Sequence, residues 1–336
     1  MMDLKIEQTS QKPKYLQLAD EIIYQIEHNN LSLDDKIPSV NKLSESLNIS
    51  RETVFKALNL LSERGIVRSE NRKGYYVSKT DVNTELRVCL ILDKFTTFKD
   101  KLYHSLFDNI SEIGEVDVFF HHHNYDLLKS LIKENLSNYT HFAIVTFFKQ
   151  DVTPLLNLIP PEKRVILDCK EFGLSGEYTM VYQNFSDDIY QALNEAHDHL
   201  KKYKRLVLVA SDTLYHTDQV KEGFCKYCND HDYECELIQE VHLKKFKKET
   251  VYITISADEE DITNIIKLAH QNNYEIGKDI GIISYNDTPI KEVLEGGITV
   301  ISTDFAEMGR KAAELIINKE TKIVTNPSKL TLRSSL

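Results

Sequence analysis

Tryptophan is absent from this 336-residue chain, and nowhere does a run of about 18 apolar residues occur, which excludes a membrane-spanning helix. The first residues, Met1 to Gln11, are polar and lack the apolar segment of a secretory signal. Cysteines number five, an odd count at irregular spacings. That excludes a fully paired disulfide framework and fits reduced thiols in a cytoplasm. Signatures of catalysis are missing as well: there is no G-x-S-x-G elbow, no Walker loop and no pattern that reads as a pyridoxal-phosphate site. We therefore expect no enzyme activity, no cofactor and no membrane partner.

With 41% hydrophobic and 28% charged residues, the composition is that of a soluble globular protein, and the length allows two or three domains. The net charge of −11 argues at first against a nucleic-acid partner, but its distribution does not. Lys36 to Lys79 holds nine Lys and Arg against four Asp and Glu, whereas residues beyond 80 carry a net −12. A basic patch thus sits on one small segment of an acidic chain, whose bulk repels DNA unless the patch docks well.

Tyr15, Leu18, Ile22 and Ile26 recur at helical spacing, so a first helix is expected from about Lys14 to Asn29. Ser39 is placed to cap a short second helix with Val40, Leu43 and Leu47 inward. Asn48 and Ile49 make a turn, Ser50 caps a third helix with Val54, Ala57, Leu58 and Leu61 inward, and Gly65 stops it. Ile66–Ser69 and Tyr75–Val77 read as two short strands around a basic tip. Three helices and a hairpin make a winged helix-turn-helix. The third helix would turn Arg51, Thr53, Phe55, Lys56 and Asn59 outward, where such helices read major-groove edges; Arg51 suits a bidentate guanine contact. Ser39 at a helix N-terminus favours a phosphate, and Arg72 and Lys73 at the wing tip can reach phosphate or the minor groove. The expected DNA-binding residues are Ser39, Arg51, Thr53, Lys56, Arg72 and Lys73.

The segments PKYLQLADEIIYQI, IPS, SRETV, GIV and RKGYYV, spread over about residues 10–78, resemble the GntR family of DNA-binding domains. In that family the Arg of the S-R-x-T-V motif contacts DNA, which implies that role for Arg51. Two departures stand out: Phe55 occupies a position that is usually Arg, and Val40-Asn41 replaces the usual acidic–Arg pair after Pro38-Ser39.

After a polar stretch from Ser78 to Glu85, about 250 residues alternate apolar strands with helices. Strands are expected at 88–92, 116–120, 142–146, 165–167, 206–210, 251–255, 280–284 and 298–302. Helices are expected at 102–113, 127–136, 189–203, 220–230, 262–271 and 306–317. This alternation means parallel sheets covered on both faces, and the length favours two doubly wound lobes. Ligands sit beyond the carboxyl ends of such strands. That rule singles out Asp93, Lys94, Phe95 and Phe98, then His121 to His123, Phe147 and Phe148, Asp168, Tyr215 and His216, and Tyr285 to Asp287. Aromatic faces mixed with amides, carboxylates and imidazoles suit a sugar.

The segments SADEEDITNIIKLAHQNNYEIGKDIGIISYNDT and ITVISTDFAEMGRKAAELII resemble the effector domain of LacI/GalR regulators, a likeness that spans about Leu86 to Leu332. The resemblance implies that Asn286 stands where the family has a sugar-contacting acid, that Asp168 is a pocket position, and that Asp304 and Phe305 lie at the hinge, with the aromatic stacking on ligand. Val220 stands where a ligand-gripping Arg is usual. The expected effector-binding residues are Lys94, Phe98, His121, His123, Asp168, Tyr215, Asn286 and Phe305. Lys94 is the only cation in these candidate loops, which points to a neutral ligand rather than a sugar phosphate.

Cys225 and Cys228 form a C-x-x-C with His231 and Cys235 nearby, but the stretch reads as helix and no second ligand pair has matching spacing, so no metal is expected. Adjacent strand residues alternate faces, which keeps the three histidines 121–123 from converging on one ion.

The expected fold is α/β: a winged helix-turn-helix over 1–79, a linker at 80–85, and a two-lobed, doubly wound periplasmic-binding-protein-like domain over 86–336 with the chain crossing near 185 and 303. The expected function is a cytoplasmic, sugar-responsive transcription regulator of arabinose-repressor type. It would be a homodimer on double-stranded operator DNA, repressing carbohydrate-utilisation genes and retuned by a monosaccharide, a pentose or deoxyhexose. The alternative is a sugar-binding or sugar-modifying enzyme whose basic N-terminal segment contacts another protein.

Overall fold

A computed structural model describes residues 4, 6, 13–27, 30–80, 86–136, 138–210, 217–242, 246–256 and 259–336. The chain divides into two compact units, Met1–Leu86 and Arg87–Leu336.

In the first unit, the helical recurrence of Leu18, Ile22 and Ile26 produces α1 (Lys14–Glu27). Helices α2 (Val40–Leu47) and α3 (Arg51–Glu63) follow, each started by a serine. Ser39 Oγ accepts from the Lys42 amide and Ser50 Oγ from the Thr53 amide, which satisfies N–H groups that a helix start leaves without partners. Between these helices Asn48 adopts a left-handed conformation, and Gly65 does so after α3, at φ 67°. Such angles suit asparagine and glycine. Strands β1 (Val67–Glu70) and β2 (Gly74–Val77) form the antiparallel wing. One core joins all five elements: Leu18, Ile22 and Ile26 meet Leu43, Val54, Leu58, Leu61, Val67 and Val77.

The second unit begins with β3 (Leu86–Leu92), α4 (Thr97–Ile110), β4 (Gly114–Phe120), α5 (Tyr125–Asn135), β5 (His141–Val145), α6 (Thr153–Leu156), β6 (Arg164–Asp168) and β7 (Thr179–Tyr182). There follow α7 (Phe185–Glu195), α8 (His197–Leu200), β8 (Arg205–Val209), α9 (Thr217–Asp230), β9 (Glu234–Ile238), β10 (Thr250–Thr254), α10 (Glu260–Gln271), β11 (Ile280–Tyr285) and α11 (Pro289–Val293). The chain ends with β12 (Thr299–Thr303), α12 (Phe305–Ile317), β13 (Ile323–Thr325) and β14 (Ser328–Thr331). Among the described residues these strands form two six-stranded sheets, ordered β13-β7-β6-β5-β3-β4 and β14-β12-β11-β10-β8-β9. The central pairs are parallel, and β14 runs antiparallel to β12 at an edge. The buried strands are continuous apolar runs because both faces are covered.

The chain passes between the sheets three times: from β7 into α7, from β12 into α12, and from β13 into β14. The third passage, at Asn326, is not apparent from the sequence pattern. It is held by the Asn326 amide, which donates to the Asp304 carbonyl from Nδ2 and to the Tyr182 carbonyl from its backbone N–H. Two glycines set how closely helices pack. A Cβ on Gly309 would lie 2.5 Å from the Leu102 carbonyl oxygen, where α12 meets α4, and one on Gly223 would lie 2.0 Å from that of Ser186, where α9 meets α7.

Several elements depart from the pattern-based expectation. Strands β7, β9, β13 and β14 are additional. The last three lie at sheet edges and hold no fully buried residue, so sequences such as ECELI and SKLT carry no continuous apolar run. Helix α4 starts five residues early because Thr96 caps it, accepting from the Lys99 amide. The helix expected at 189–203 breaks into two at Ala196. Residues 81–85 of the expected linker lie outside the described residues.

Candidate nucleic-acid interface and effector site

Helix α3 buries Val54, Ala57, Leu58 and Leu61 and leaves Arg51, Glu52, Phe55, Lys56 and Asn59 exposed. The Arg51 guanidinium pairs with no carboxylate among the described residues. Lys56 reaches across to α1, its ammonium 4.3 Å from the centre of the Tyr15 ring, so part of its charge is already engaged. Thr53 is tied into the helix cap, its hydroxyl 2.8 Å from that of Ser50. On the wing, Arg72 takes φ 62° at the exposed tip, and the exposed Lys73 lies 3.4 Å from Glu70. Arg68, at the base, is held by Asp34 at 2.7 Å and by Glu70. Arg51, Lys56, Arg72 and Lys73 are exposed on α3 and the wing, with Ser39 at the start of α2 and the exposed Lys42 within it.

In the second unit, the carboxyl ends of β3, β5, β6 and β7 bring together a buried polar cluster. The Lys99 ammonium contacts Asp93 and lies 3.9 Å from Asp168. Burial lowers Lys99 to about 8 against the pull of Asp168, so it stays protonated at neutral pH. Burial also raises the Asp168 carboxyl, opposed by Lys99 and by the Gln183 amide that donates to it. Gln183 in turn accepts from the Thr303 hydroxyl. Asp168 is thus linked to two of the three passages between the lobes.

His121 and His123 both face this region, with different outcomes. His121 is fully buried; its Nε2 donates to the Val145 carbonyl at 2.9 Å, and its Nδ1 accepts the His123 amide at 3.0 Å. Both ring nitrogens of His121 are used inside the lobe, so a ligand meets no free nitrogen there. His123 donates from Nδ1 to the Phe147 carbonyl, which leaves Nε2 turned toward Asp93 at 3.9 Å. Phe98 and Phe305 pack on each other, ring centres 5.0 Å apart, and both are buried. Their mutual contact joins α4 to α12. Phe95 and Phe172 are the exposed rings near these strand ends, 71% and 69% exposed, with the Lys170 ammonium lying over the Phe172 ring.

In the other lobe, Asn286 follows β11 with φ 58°. Its carbonyl and that of Tyr285 accept from the Lys291 ammonium at 2.7 and 2.8 Å, and burial brings Lys291 down to about 8. Asn286 Oδ1 is buried without a hydrogen-bond partner among the described residues, an acceptor available to a ligand hydroxyl. Arg333 clamps Asp287 through two hydrogen bonds of 2.9 and 2.7 Å. Val220 is buried in α9. Tyr215, with His216, lies outside the described residues.

The expectation that Lys94 is the only cation at these strand ends is corrected: Lys99, Lys291 and Arg333 are there too, and Lys170 lies just beyond β6, its ammonium 5.0 Å from the centre of the Tyr182 ring. Lys99 looks like a solvated position in a helix, and Arg333 lies 46 residues from Asp287; only folding reveals their placement. The missed Gln183 and Thr303 carry no sequence signal beyond lying at the passages between lobes. The five cysteines are free, and among the described residues no group of three or more His, Cys, Asp or Glu has metal-binding geometry. No helix among them is long and apolar enough to cross a membrane.

Comparison with known proteins agrees with this division. Residues 14–77 match the model of bacterial regulatory proteins of the gntR family, and residues 196–336 that of the periplasmic binding protein-like domain. The mannosyl-D-glycerate transport/metabolism system repressor of Escherichia coli is 34% identical over 102 residues, 30% of this chain and 40% of that protein. The arabinose metabolism transcriptional repressor of Geobacillus stearothermophilus is 36% identical over 67 residues, 20% of this chain and 18% of that protein. The chain therefore spans less than half the length of either relative. A LacI family transcriptional regulator from Silicibacter pomeroyi superposes with a TM-score of 0.61 at 13% identity, covering 74% of this chain and 98% of that one. The chain thus joins a GntR-family helix-turn-helix domain to a periplasmic-binding-protein-like domain with the fold of LacI-type regulators.

Proposed function

We propose that this protein is a transcription regulator that binds double-stranded operator DNA through α3 and the wing and is retuned by a monosaccharide held between the lobes of the second unit. The observation that carries the reading is the presence, in one chain, of a capped helix whose first turn exposes Arg51 and a two-lobed unit whose buried cluster is bonded to the segments crossing between the lobes. Asp168, through Gln183 and Thr303, couples events at the strand ends to those crossings. A ligand favouring one lobe arrangement by ~1.4 kcal/mol would change operator affinity tenfold.

The effector is a neutral pentose or deoxyhexose. Lys99, Lys291 and Arg333 are each engaged by protein oxygens and Lys170 lies over the Phe172 and Tyr182 rings, which leaves Lys94 as weak support for a phosphate, while Asp93, Asp168, His123 and the free Asn286 Oδ1 suit hydroxyl groups. Lys94, Phe98, Tyr215 and Phe305 complete the proposed set, with Phe95 as an exposed stacking face. The protein acts as a homodimeric, cytoplasmic repressor of carbohydrate-utilisation genes, with residues 1–79 as the DNA-binding domain, 80–85 as linker and 86–336 as sensor.

The test is selection of binding sites from random duplexes with the full chain, then titration of the selected DNA with and without a panel of free and phosphorylated sugars. Sequence-specific binding shifted by a neutral sugar supports the reading. Failure to enrich any sequence, or turnover of a sugar, overturns it.

A further inference from the structure

Phe55 has no place in the hydrophobic core of the first unit. It is 46% exposed on the outer face of α3, a face otherwise polar: Arg51, Glu52, Lys56 and Asn59. Arg51, Phe55 and Asn59 follow each other at intervals of four, so they stack in one row along the helix. Lys56 lies beside that row and leans on Tyr15. The row that remains free to enter a groove therefore presents a guanidinium, a phenyl ring and an amide, in that order.

Each of these groups selects a different partner in the major groove. A guanidinium matches the paired acceptors of guanine, and an amide matches adenine. A phenyl ring can neither donate nor accept, and it gains only by covering apolar surface. The apolar feature that the major groove offers is the C5-methyl group of thymine. An exposed ring between two groove-reading positions is thereby matched to that methyl, not to a phosphate, and not to a base edge recognised by hydrogen bonding.

We propose that Phe55, one turn of α3 beyond Arg51, is a specificity-determining residue that reads a thymine methyl group within a few base pairs of the base contacted by Arg51. This rests on the DNA-binding function proposed above, and its test separates the two. Binding sites selected with the full chain are resynthesised with each thymine replaced in turn by deoxyuridine, which removes the methyl and leaves the pairing unchanged. Wild type should lose about fourfold in affinity at one or two positions, the amount expected for exposing one methyl. Phe55→Ala should bind more weakly and no longer respond at those positions, whereas Phe55→Leu should retain most of the response. Identical responses of wild type and Phe55→Ala at every thymine would overturn the inference while leaving DNA binding standing. Absence of any selected site would remove the DNA-binding function itself, and the inference with it.

Discussion

Acidification should loosen the second unit through His121, and the size of the effect follows from its hydrogen bonds. Because Nε2 donates to the Val145 carbonyl, Nδ1 must be the acceptor for the His123 amide. A second proton on the ring would go onto Nδ1 and face that N–H donor inside a fully buried site. Burial is the largest cause of the lowered value, about 4, against about 6.5 in an unfolded chain. The unfolded state therefore binds more protons between about pH 6.5 and 4, so stability falls as pH drops through that window. From pH 7 to 5 the His121 contribution is on the order of 2 kcal/mol. His141, also lowered by burial to about 4, acts in the same direction. Asp188, raised by burial to about 6, acts in the opposite one, since its neutral form is favoured in the folded state. Both cancel when wild type is compared with His121→Gln. Urea unfolding at pH 7, 6 and 5, followed by far-UV circular dichroism and tyrosine fluorescence, should show the variant less stable at pH 7 but with a shallower loss toward pH 5. Equal losses in the two proteins would refute the assignment of a neutral, doubly hydrogen-bonded His121.

Arg51→Ala should cost about 1–3 kcal/mol of specific DNA binding if the guanidinium forks onto a guanine, and unchanged affinity in a folded variant would remove Arg51 from the interface. Lys73→Ala should reduce the slope of log affinity against log salt by about one; an unaltered slope would place the wing tip away from phosphate. Asp168→Asn, chosen because alanine would leave the Gln183 amide without its acceptor, should weaken monosaccharide binding about tenfold or more while ligand-free DNA binding is retained. Native sugar affinity by calorimetry would take Asp168 out of the site.

The helices and wing of the first unit are legible in the sequence because their signals are local. Ser39 and Ser50 cap helices a few residues away, Asn48 and Gly65 supply left-handed turns, and the apolar spacing of α1 and α3 marks their buried sides. The central strands are equally plain, since a strand buried on both faces is one continuous apolar run. Edge strands β9, β13 and β14 escape notice because they are short and none of their residues is fully buried, so no apolar run marks them. The effector region divides in the same way. Strand-end position is readable for Asp168, His123 and Asn286, which lie at or just beyond the ends of β6, β4 and β11. Sequence spacing says nothing of which partners a side chain meets across 15, 46 or 120 residues, as in Asp168–Gln183, Asp287–Arg333 and Gln183–Thr303. Tertiary contacts likewise decide that the Lys99 ammonium is held by Asp93, that His121 is spent on the backbone, and that Phe305 leans on Phe98. Chain-local chemistry determined the helices and wing of the first unit and the central strands of the second; tertiary packing decided the edge strands and which polar groups remain free, because a buried group is satisfied by whatever the fold brings within 3 Å or so.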